Sequence, residues 1–312
     1  MPHGYILWLS VVVISMSSRQ ASVGTRWSPR LATKKLQALI NTIRSDNWVP
    51  DVVVDLIQNQ GADPNVRCDT SGWTLLMWLC AIGKEEVGGN YHDQMLVLFR
   101  WLLDRHDIDV NVEVRGVGNV LLGEAASMRD PMFLQLVLMK GDAQRGINQK
   151  LLGDGFTPLL LACQDPVTPI QNIRALIAHG AATNVQCTLY GRTPLHYVMM
   201  TYTGDNANGG KVVGILEEFF KYFEGRNAAA RVRDNNGQTV LHYAARFVHS
   251  ARVCELLLGL GGIGSVRARD NRRHLTPLDY ARDAGNIEIA TVIENYVREW
   301  DMRTASLLGR GQ

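Results

Sequence analysis

The chain has 312 residues, which is enough for two average domains or for one elongated array with a substantial core. Apolar residues make up 46% of it and charged residues 20%, a composition that excludes wholesale disorder and collagen-like structure. The formal net charge of +2 excludes a uniform polycation of the kind that binds nucleic acid in bulk. Five cysteines with no C-x-x-C pair favour neither a disulfide framework nor a zinc site.

Residues 1–33 are predicted to form a leader or tail that precedes the folded part. The apolar run from Tyr5 to Met16 is too short to span a bilayer, so no stable membrane span is expected. Three alternatives stay open: the disordered tail of a cytoplasmic protein, which we favour, a secretory signal within residues 1–18, or a mitochondrial presequence if Met16 is the true start.

A six-residue window recurs along the rest of the chain, and its third position is always leucine. The copies are TLLMWL at Thr74, VLLGEA at Val120, TPLLLA at Thr157, TPLHYV at Thr193, TVLHYA at Thr239 and TPLDYA at Thr276. Glycine stands two residues before five of the windows, and His274 takes its place before the sixth. A residue fixed at this point of a repeat predicts a tight turn with positive φ, for which glycine is best suited.

Apolar residues at helical spacing follow each window, as in Ile170, Ile173, Leu176 and Ile177. Each unit is therefore predicted to hold two helices and a turn. Gly61 opens the sequence GADPNV after one second helix, and glycine just past a helix end is the common terminating residue.

Thr-Pro-Leu-His-x-Ala, two helices and a GADPN tail together resemble the ankyrin repeat. The resemblance implies an all-α ankyrin-repeat solenoid of helix-turn-helix units, with short hairpins between repeats. We expect the array to cover residues 34–302 in about seven repeats, followed by a C-terminal tail at 303–312. Extra polar residues at 83–93 and 201–211 predict two protruding loops on one edge of the array.

No sequence motif predicts catalysis, a cofactor or a metal ion, so we expect none of the three. Gly259, Gly261 and Gly264 match G-x-G-x-x-G but follow a helical pattern rather than a strand. Asp107, Asp109 and Asn111 begin like a calcium loop, but the required glycine and glutamate are missing. The resemblance implies that His196 and His242 hold the turn by hydrogen bonds, and the repeats leave no segment of domain size for an enzyme.

The family resemblance implies a non-catalytic scaffold or adaptor that binds a protein partner through its concave face and hairpin tips. The alternative is a regulatory or targeting subunit of an enzyme complex. Residues 226–274 hold nine arginines, no lysine and three acidic residues, a local charge of +6. This cluster predicts an acidic or phosphorylated partner, because arginine forms bidentate bonds with carboxylate and phosphate. The candidate residues are Arg231, Arg233, Arg267, Arg269, Arg272 and Arg273.

Alternate residues of a strand share a face, so we expect each hairpin to present its arginines together. A solvated charged edge, partly neutralised by nearby acids, is the alternative interpretation. Trp73, beside a hairpin tip, is the candidate aromatic anchor. Nucleic acid is not expected as a partner, because no aromatic residues are interleaved with the arginines, and the array is expected to be monomeric.

Overall fold

The computed structural model describes residues 29–42, 50–68, 71–83, 89–151, 153–201, 206–221 and 230–308. Within these ranges, seven pairs of α-helices follow one another, with one short pair of strands between them. The predicted all-α array of helix-turn-helix units is therefore confirmed.

The pairs have the following bounds. The first helices are α1 (Pro29–Thr42), α3 (Leu75–Gly83), α5 (Leu121–Ala126), α7 (Pro158–Gln164), α9 (Pro194–Thr201), α11 (Val240–Phe247) and α13 (Pro277–Asp283). The second helices are α2 (Pro50–Gln58), α4 (Gly89–Asp104), α6 (Pro131–Met139), α8 (Ile170–Ala178), α10 (Asn206–Lys221), α12 (Ala251–Val266) and α14 (Ile287–Leu308). A 3-10 helix covers Gly141–Gly146, and strands β1 (Glu113–Val114) and β2 (Gly118–Asn119) pair antiparallel.

The recurring window explains where the first helices begin. In all six copies the helix starts one residue after the first residue of the window. Thr157 shows why, since its hydroxyl accepts a hydrogen bond from the Leu160 N–H at 3.3 Å and so caps the helix. Thr276 and Asp279 cap each other reciprocally at the last copy. Proline follows the cap in three copies, where its missing N–H is not needed.

The helices form two layers with the core between them. From α3 to α13 each first helix contacts the next first helix, and from α2 to α14 each second helix contacts the next second helix. The window leucine points into this core and is buried in five copies, for example Leu159 and Leu195. Leu278 in α13 is only half-buried, because a first helix packs against α13 on one side alone.

Asparagines of the GADPN-type tails join consecutive repeats. Asn65 donates from Nδ2 to the carbonyl oxygen of Asp107 at 2.6 Å, and its Oδ1 accepts from the Asp109 N–H at 2.8 Å. Asn148 donates in the same way to the carbonyl oxygen of Gly180 at 3.1 Å. The segment that begins like a calcium loop thus uses the backbone of Asp107 and Asp109 to hydrogen-bond the preceding repeat.

The predicted loops are wrong where the structure describes them. Residues 84–88 and 202–205 lie outside the described part, but α4 already begins at Gly89 and α10 at Asn206. Both helices have 16 residues, against nine in α6 and in α8, so much of the extra length extends the second helix. Extension is favourable because each added residue contributes a helical hydrogen bond. Side chains also hold these extensions: Lys211 Nζ donates to the carbonyl oxygens of Pro166 and Thr168 at 3.0 Å each.

The helical array is longer at both ends than the predicted range 34–302. Its first helix begins at Pro29, and α14 continues to Leu308 through residues expected to form a tail. The glycine-rich stretch after α11 is helical as well, broken at Gly262, whose φ is 58°. Of the helices described, none combines the length and the apolar character that a bilayer crossing requires. The apolar run near the N-terminus lies outside the described residues.

Candidate functional site

Six short hairpins lie in a row between consecutive helix pairs of the described chain. We number them hairpin 1 (67–73), hairpin 2 (113–119), hairpin 3 (150–156), hairpin 4 (186–192), hairpin 5 (233–238) and hairpin 6 (269–275); residues 69, 70 and 152 are outside the described part. A backbone hydrogen bond closes each base, as from the Cys187 N–H to the Arg192 carbonyl oxygen at 2.9 Å. The hairpins are the most regular surface that the repeats create.

Backbone hydrogen bonds link hairpins 3 to 6 at their tips. The Thr188 N–H donates to the Asp154 carbonyl oxygen at 2.8 Å, and the Asn235 N–H donates to that of Tyr190 at 2.9 Å. The Asn271 N–H continues the series to the Asn236 carbonyl oxygen at 2.8 Å. The tips therefore form a ladder whose side chains are held in a fixed order.

The glycine before each window makes this ladder possible. All five glycines have positive φ, and His274 at the sixth copy has φ 55°, as the sequence predicts for this turn. His274 is the one non-glycine residue with positive φ among those described. At Gly237 a side-chain carbon would also lie 3.0 Å from the backbone nitrogen of Asn271 in the next hairpin. Glycine is thus needed both for the turn and for the close approach of the next tip.

Two buried aspartates stabilise hairpins 5 and 6 from inside. Asp234 accepts from the Asn236 and Gln238 N–H groups at 2.9 and 2.8 Å. Asp270 accepts from the N–H groups of Arg272 and Arg273 at 2.7 and 2.6 Å. Burial acts to raise the pKa of Asp270, but these backbone donors outweigh it, so its pKa lies below the ordinary value.

The motif histidines are buried and hydrogen-bonded, as the family resemblance implies. His196 Nδ1 lies 2.8 Å from the Thr193 hydroxyl and accepts from the Thr193 N–H at 3.2 Å. Its Nε2 faces the Gln238 carbonyl oxygen at 3.2 Å, so the ring spans two repeats. His242 makes the same bonds to Thr239 and, across the repeat boundary, to the Leu275 carbonyl oxygen. Neither ring is open to a substrate.

Two of the candidate arginines contact a second helix. Arg231 and Arg267 lie at the bases, where Arg231 Nε donates to the Gly261 carbonyl oxygen at 3.0 Å and Arg267 Nη2 lies 3.1 Å from an Asp301 oxygen. Their partners belong to the second helices α12 and α14. The arginine at the base of each hairpin is thus turned toward a second helix, and its joint presentation with Arg233 or Arg269 stays a prediction.

The other four candidate arginines lie within hairpins 5 and 6. Arg269 Nη1 donates to the His274 carbonyl oxygen at 2.7 Å, within its own hairpin. Arg273 forms an exposed ion pair with Asp283 at 3.1 Å, of a kind that contributes little to stability. The guanidiniums of Arg233 and Arg272 make no hydrogen bond or ion pair within the described ranges. Of the six candidate arginines, these two exposed side chains have the fewest polar side-chain contacts with described residues.

Trp73 is half-buried at the end of hairpin 1. Its ring lies 5.3 Å from that of Trp78, with the two planes tilted by 54°, and it packs against the core. Part of the Trp73 side chain therefore packs within the fold, and the rest is exposed to solvent.

An exposed apolar pair at the tip of hairpin 4 was not singled out by the sequence. Leu189 and Tyr190 are 50% and 45% exposed although both are large and apolar. Arg192 stacks against the Tyr190 ring, with its guanidinium carbon 4.6 Å from the ring centroid. The turn sequence Leu-Tyr-Gly was the available signal, because an aromatic residue directly before a turn glycine is placed at a tip.

A chain of polar contacts holds Arg192 in place. Its Nε donates to the Tyr243 hydroxyl at 2.9 Å, and that hydroxyl donates to the Asp234 carboxylate at 2.7 Å. Burial and the carboxylate raise the pKa of Tyr243, so the phenol stays protonated and able to donate. Hairpin 4 is in this way tied to hairpin 5 and to α11.

Within the described ranges, no group of three His, Cys, Asp or Glu side chains could hold a metal ion. All five cysteines are free and buried, and burial raises the pKa of Cys163. The geometry of this surface is that of side chains displayed on a rigid backbone.

Comparison with known proteins agrees with the motif and the fold. The family model described as ankyrin repeat matches residues 236–271, which contain hairpins 5 and 6 in part and all of α11 and α12. An ankyrin repeat protein of fowlpox virus (strain NVSL) is 30% identical over 159 residues, which cover 50% of this chain and 42% of the viral protein. An ankyrin repeat protein of Acanthamoeba polyphaga mimivirus is 25% identical over 147 residues, 36% of this chain and 34% of that protein.

The chain thus spans less than half the length of either relative. The matched repeat, the six motif copies, the positive-φ turns and the two helical layers agree on one family. Residues 236–271 match the ankyrin repeat, and the chain has the all-α fold of an ankyrin-repeat solenoid.

Proposed function

We propose that this protein is a non-catalytic scaffold or adaptor that binds a protein partner along the row of hairpin tips. Ankyrin repeats generally mediate protein–protein interaction, and the family is generally non-catalytic. The observation that carries the proposal is the exposed pair Leu189 and Tyr190 on a hairpin held by both of its neighbours. Tyrosine is enriched among interface residues that dominate binding energy, and a rigid tip loses little entropy on binding.

The charged part of the proposed surface lies beyond hairpin 4. Arg233 and Arg272 project from hairpins 5 and 6, and Arg269 and Arg273 add positive charge beside them. An acidic partner segment that contacts Tyr190 would meet these cations as it continues along the row. Arg267 and Arg231 would contribute mainly by long-range electrostatic attraction of the partner, since their guanidiniums bond to second-helix partners.

Site-specific photo-crosslinking in the full chain tests the location. A benzophenone side chain is placed at Tyr190, and in a matched control at Val97 of α4, which is 69% exposed on the second-helix layer. We expect a discrete protein adduct from position 190 and none from position 97. Adducts only from position 97 would move the binding surface to the second helices and overturn the proposal.

A charge test examines the partner's chemistry. The double substitution Arg233→Glu and Arg272→Glu should strongly reduce the adduct at position 190 and remove the salt dependence of the yield that remains. The double substitution Arg145→Glu and Arg252→Glu, at exposed positions in other elements, is the matched control and should leave capture unchanged. Equal effects of the two pairs would show that general charge, rather than the hairpin row, governs binding. A regulatory subunit would use the same surface and would differ only in that the captured partner is an enzyme.

A further inference from the structure

An open cleft of about 490 Å³ lies between hairpins 1, 2 and 3, away from the arginine cluster of the last hairpins. Among the described residues, three cationic side chains and one acidic side chain line it: Arg67, Arg115, Lys150 and Glu113. Each cation comes from a different hairpin. The cleft therefore exists only when three consecutive repeats are stacked, and its volume is in the range of small-ligand sites.

Close contacts between the hairpins form the walls of this cleft. A side-chain carbon at Gly72 would lie 3.7 Å from Val114 Cγ1, so hairpin 1 touches hairpin 2 at that point. One at Gly118 would lie 3.8 Å from the Lys150 carbonyl oxygen, so hairpin 2 touches hairpin 3. Gly116 and Gly118 both have positive φ, which gives hairpin 2 its paired strands and places Arg115 at its tip.

Two of the four charged side chains around the cleft already have hydrogen-bond partners in the fold. Glu113 accepts from Gln149 Nε2 at 3.1 Å, and Lys150 Nζ donates to the Gln186 carbonyl oxygen at 2.8 Å. The guanidiniums of Arg67 and Arg115 are exposed and make no hydrogen bond or ion pair with the residues described. With Lys150 positive and Glu113 negative, the described residues of the lining carry a formal charge of +2.

We propose that this cleft binds the phosphate monoester of a phosphorylated segment of the partner protein. The proposal deepens the proposed function and rests on it, because it supplies a second contact for a partner that follows the hairpin row. Arg67 and Arg115 donate to the phosphate oxygens, since guanidinium matches phosphate in a bidentate geometry. Lys150 contributes a point charge from hairpin 3.

The balance of charge favours a phosphate dianion over other anions. A phosphate monoester carries about −1.5 to −2 at neutral pH, close to the charge of the lining, whereas a single carboxylate leaves one guanidinium unmatched. Attraction to the three cations and repulsion by Glu113 both scale with the charge of the anion, so a dianion is attracted about twice as strongly as a single carboxylate. Among the lining residues that the structure describes, none is aromatic, so none offers a surface on which a nucleic-acid base could stack.

The experiment measures binding of the full chain to a fluorescent pool of degenerate peptides with a central phosphoserine. The unphosphorylated pool, inorganic phosphate and a single-stranded oligonucleotide are the comparison ligands. Arg67→Ala and Arg115→Ala should each weaken phosphopeptide binding at least about tenfold, since a hydrogen bond to a charged group is lost. Arg145→Ala, which removes an exposed arginine outside the cleft, is the matched control and should change nothing.

Glu113→Gln tests the acidic residue of the lining, as the two arginine substitutions test its basic residues. It keeps an acceptor for Gln149 and removes the repulsive charge, so phosphopeptide affinity should rise several-fold. Unchanged thermal unfolding of each variant shows that the hairpins remain folded. The preference for the phosphorylated pool should survive at moderate salt in the unaltered chain.

Several results would overturn the inference. These are equal affinity for both peptide pools, equal affinity for the oligonucleotide, saturation by inorganic phosphate with no gain from the peptide, or Arg67→Ala binding as the unaltered chain does. The outcome is separable from that of the proposed function. If crosslinking at position 190 succeeds but the phosphorylated peptides are not preferred, only the phosphate site is rejected. If the phosphorylated peptides are preferred but crosslinking at position 190 fails, only the hairpin-tip surface is rejected.

Discussion

His196 Nε2 lies 3.2 Å from the carbonyl oxygen of Gln238 in the following repeat. The opposite nitrogen, Nδ1, accepts from the Thr193 N–H, so the proton of the neutral ring must be on Nε2, which then donates to Gln238. Both nitrogens are used only while the imidazole is neutral. Burial accordingly lowers the pKa of His196 to about 4, and it lowers that of His242 as well.

The first prediction concerns stability against pH. Because the folded-state pKa of His196 lies below the unfolded value near 6.5, its stabilising contribution is complete above pH 6.5. It is lost as the pH falls toward 4, by up to about 1.4 kcal/mol per pH unit for each such histidine. Thermal unfolding midpoints of the full chain from pH 7.5 to 4.5 should fall accordingly.

His196→Gln separates this effect from general acid denaturation. The amide retains an acceptor for Thr193 but does not titrate, so the variant should lose less stability than the unaltered chain over the same pH interval. Identical slopes for the two proteins would show that His196 is not the responsible group.

The second prediction concerns the one left-handed residue that is not glycine. His274→Gly should stabilise the protein by about 0.5–1 kcal/mol, because the left-handed conformation costs a residue with a Cβ about 1–2 kcal/mol. Part of this gain is offset by the greater entropy of glycine in the unfolded chain. Urea unfolding measures the change.

His106→Gly is the matched control for that substitution. His106 is an exposed histidine without positive φ, so glycine there should only destabilise, by about 0.5–1 kcal/mol. A loss of stability at position 274 as large as that at 106 would contradict the strain assigned to His274.

The third prediction is a graded series of glycine substitutions. Gly141→Ala should be close to neutral, because a Cβ there meets nothing within 4 Å and φ is not positive. Gly116→Ala should cost about 1–2 kcal/mol, because its φ of 77° is strained for alanine in otherwise open space. Gly237→Ala should cost clearly more, because the Cβ also meets the backbone of Asn271. Equal losses at 116 and 237 in urea unfolding would show that the tips do not press together.

The fourth prediction concerns the phenol that joins hairpins 4 and 5. Tyr243→Phe removes the hydroxyl between Arg192 and Asp234 and should destabilise the protein by about 1–3 kcal/mol, because the buried Asp234 loses a hydrogen bond. Tyr190→Phe is the matched control, since that ring is exposed, and it should leave the unfolding free energy nearly unchanged. A Tyr243→Phe variant as stable as the control would show that the phenol is dispensable for holding the hairpins.

The repeat itself could be predicted from sequence because its signals are local. A capping threonine, a following proline and a turn glycine each restrict the backbone within a few residues, wherever the chain is placed. The helix starts after Thr157 and Thr276 and the positive φ of the turn residues, His274 included, follow from these restrictions. Helical spacing of apolar residues was equally sufficient to predict the two helices of each unit.

The binding surface was less predictable, because it depends on residues that are distant in the chain. Charge counting located a basic segment, but only packing decides that Arg267 meets Asp301 of α14 while the Arg233 guanidinium meets no partner among the described residues. The polar inserts were expected as loops, and contacts such as those of Lys211 with the preceding repeat favour longer helices instead.

Local sequence thus determines the repeat, its caps and its turns, since backbone sterics and hydrophobic periodicity act over a single unit. Tertiary structure alone decides which side chains the array displays together. Arg67, Arg115 and Lys150 become neighbours of one cleft only because three hairpins stack, and Tyr190 becomes a rigid exposed tip only because the hairpins beside it hold its backbone.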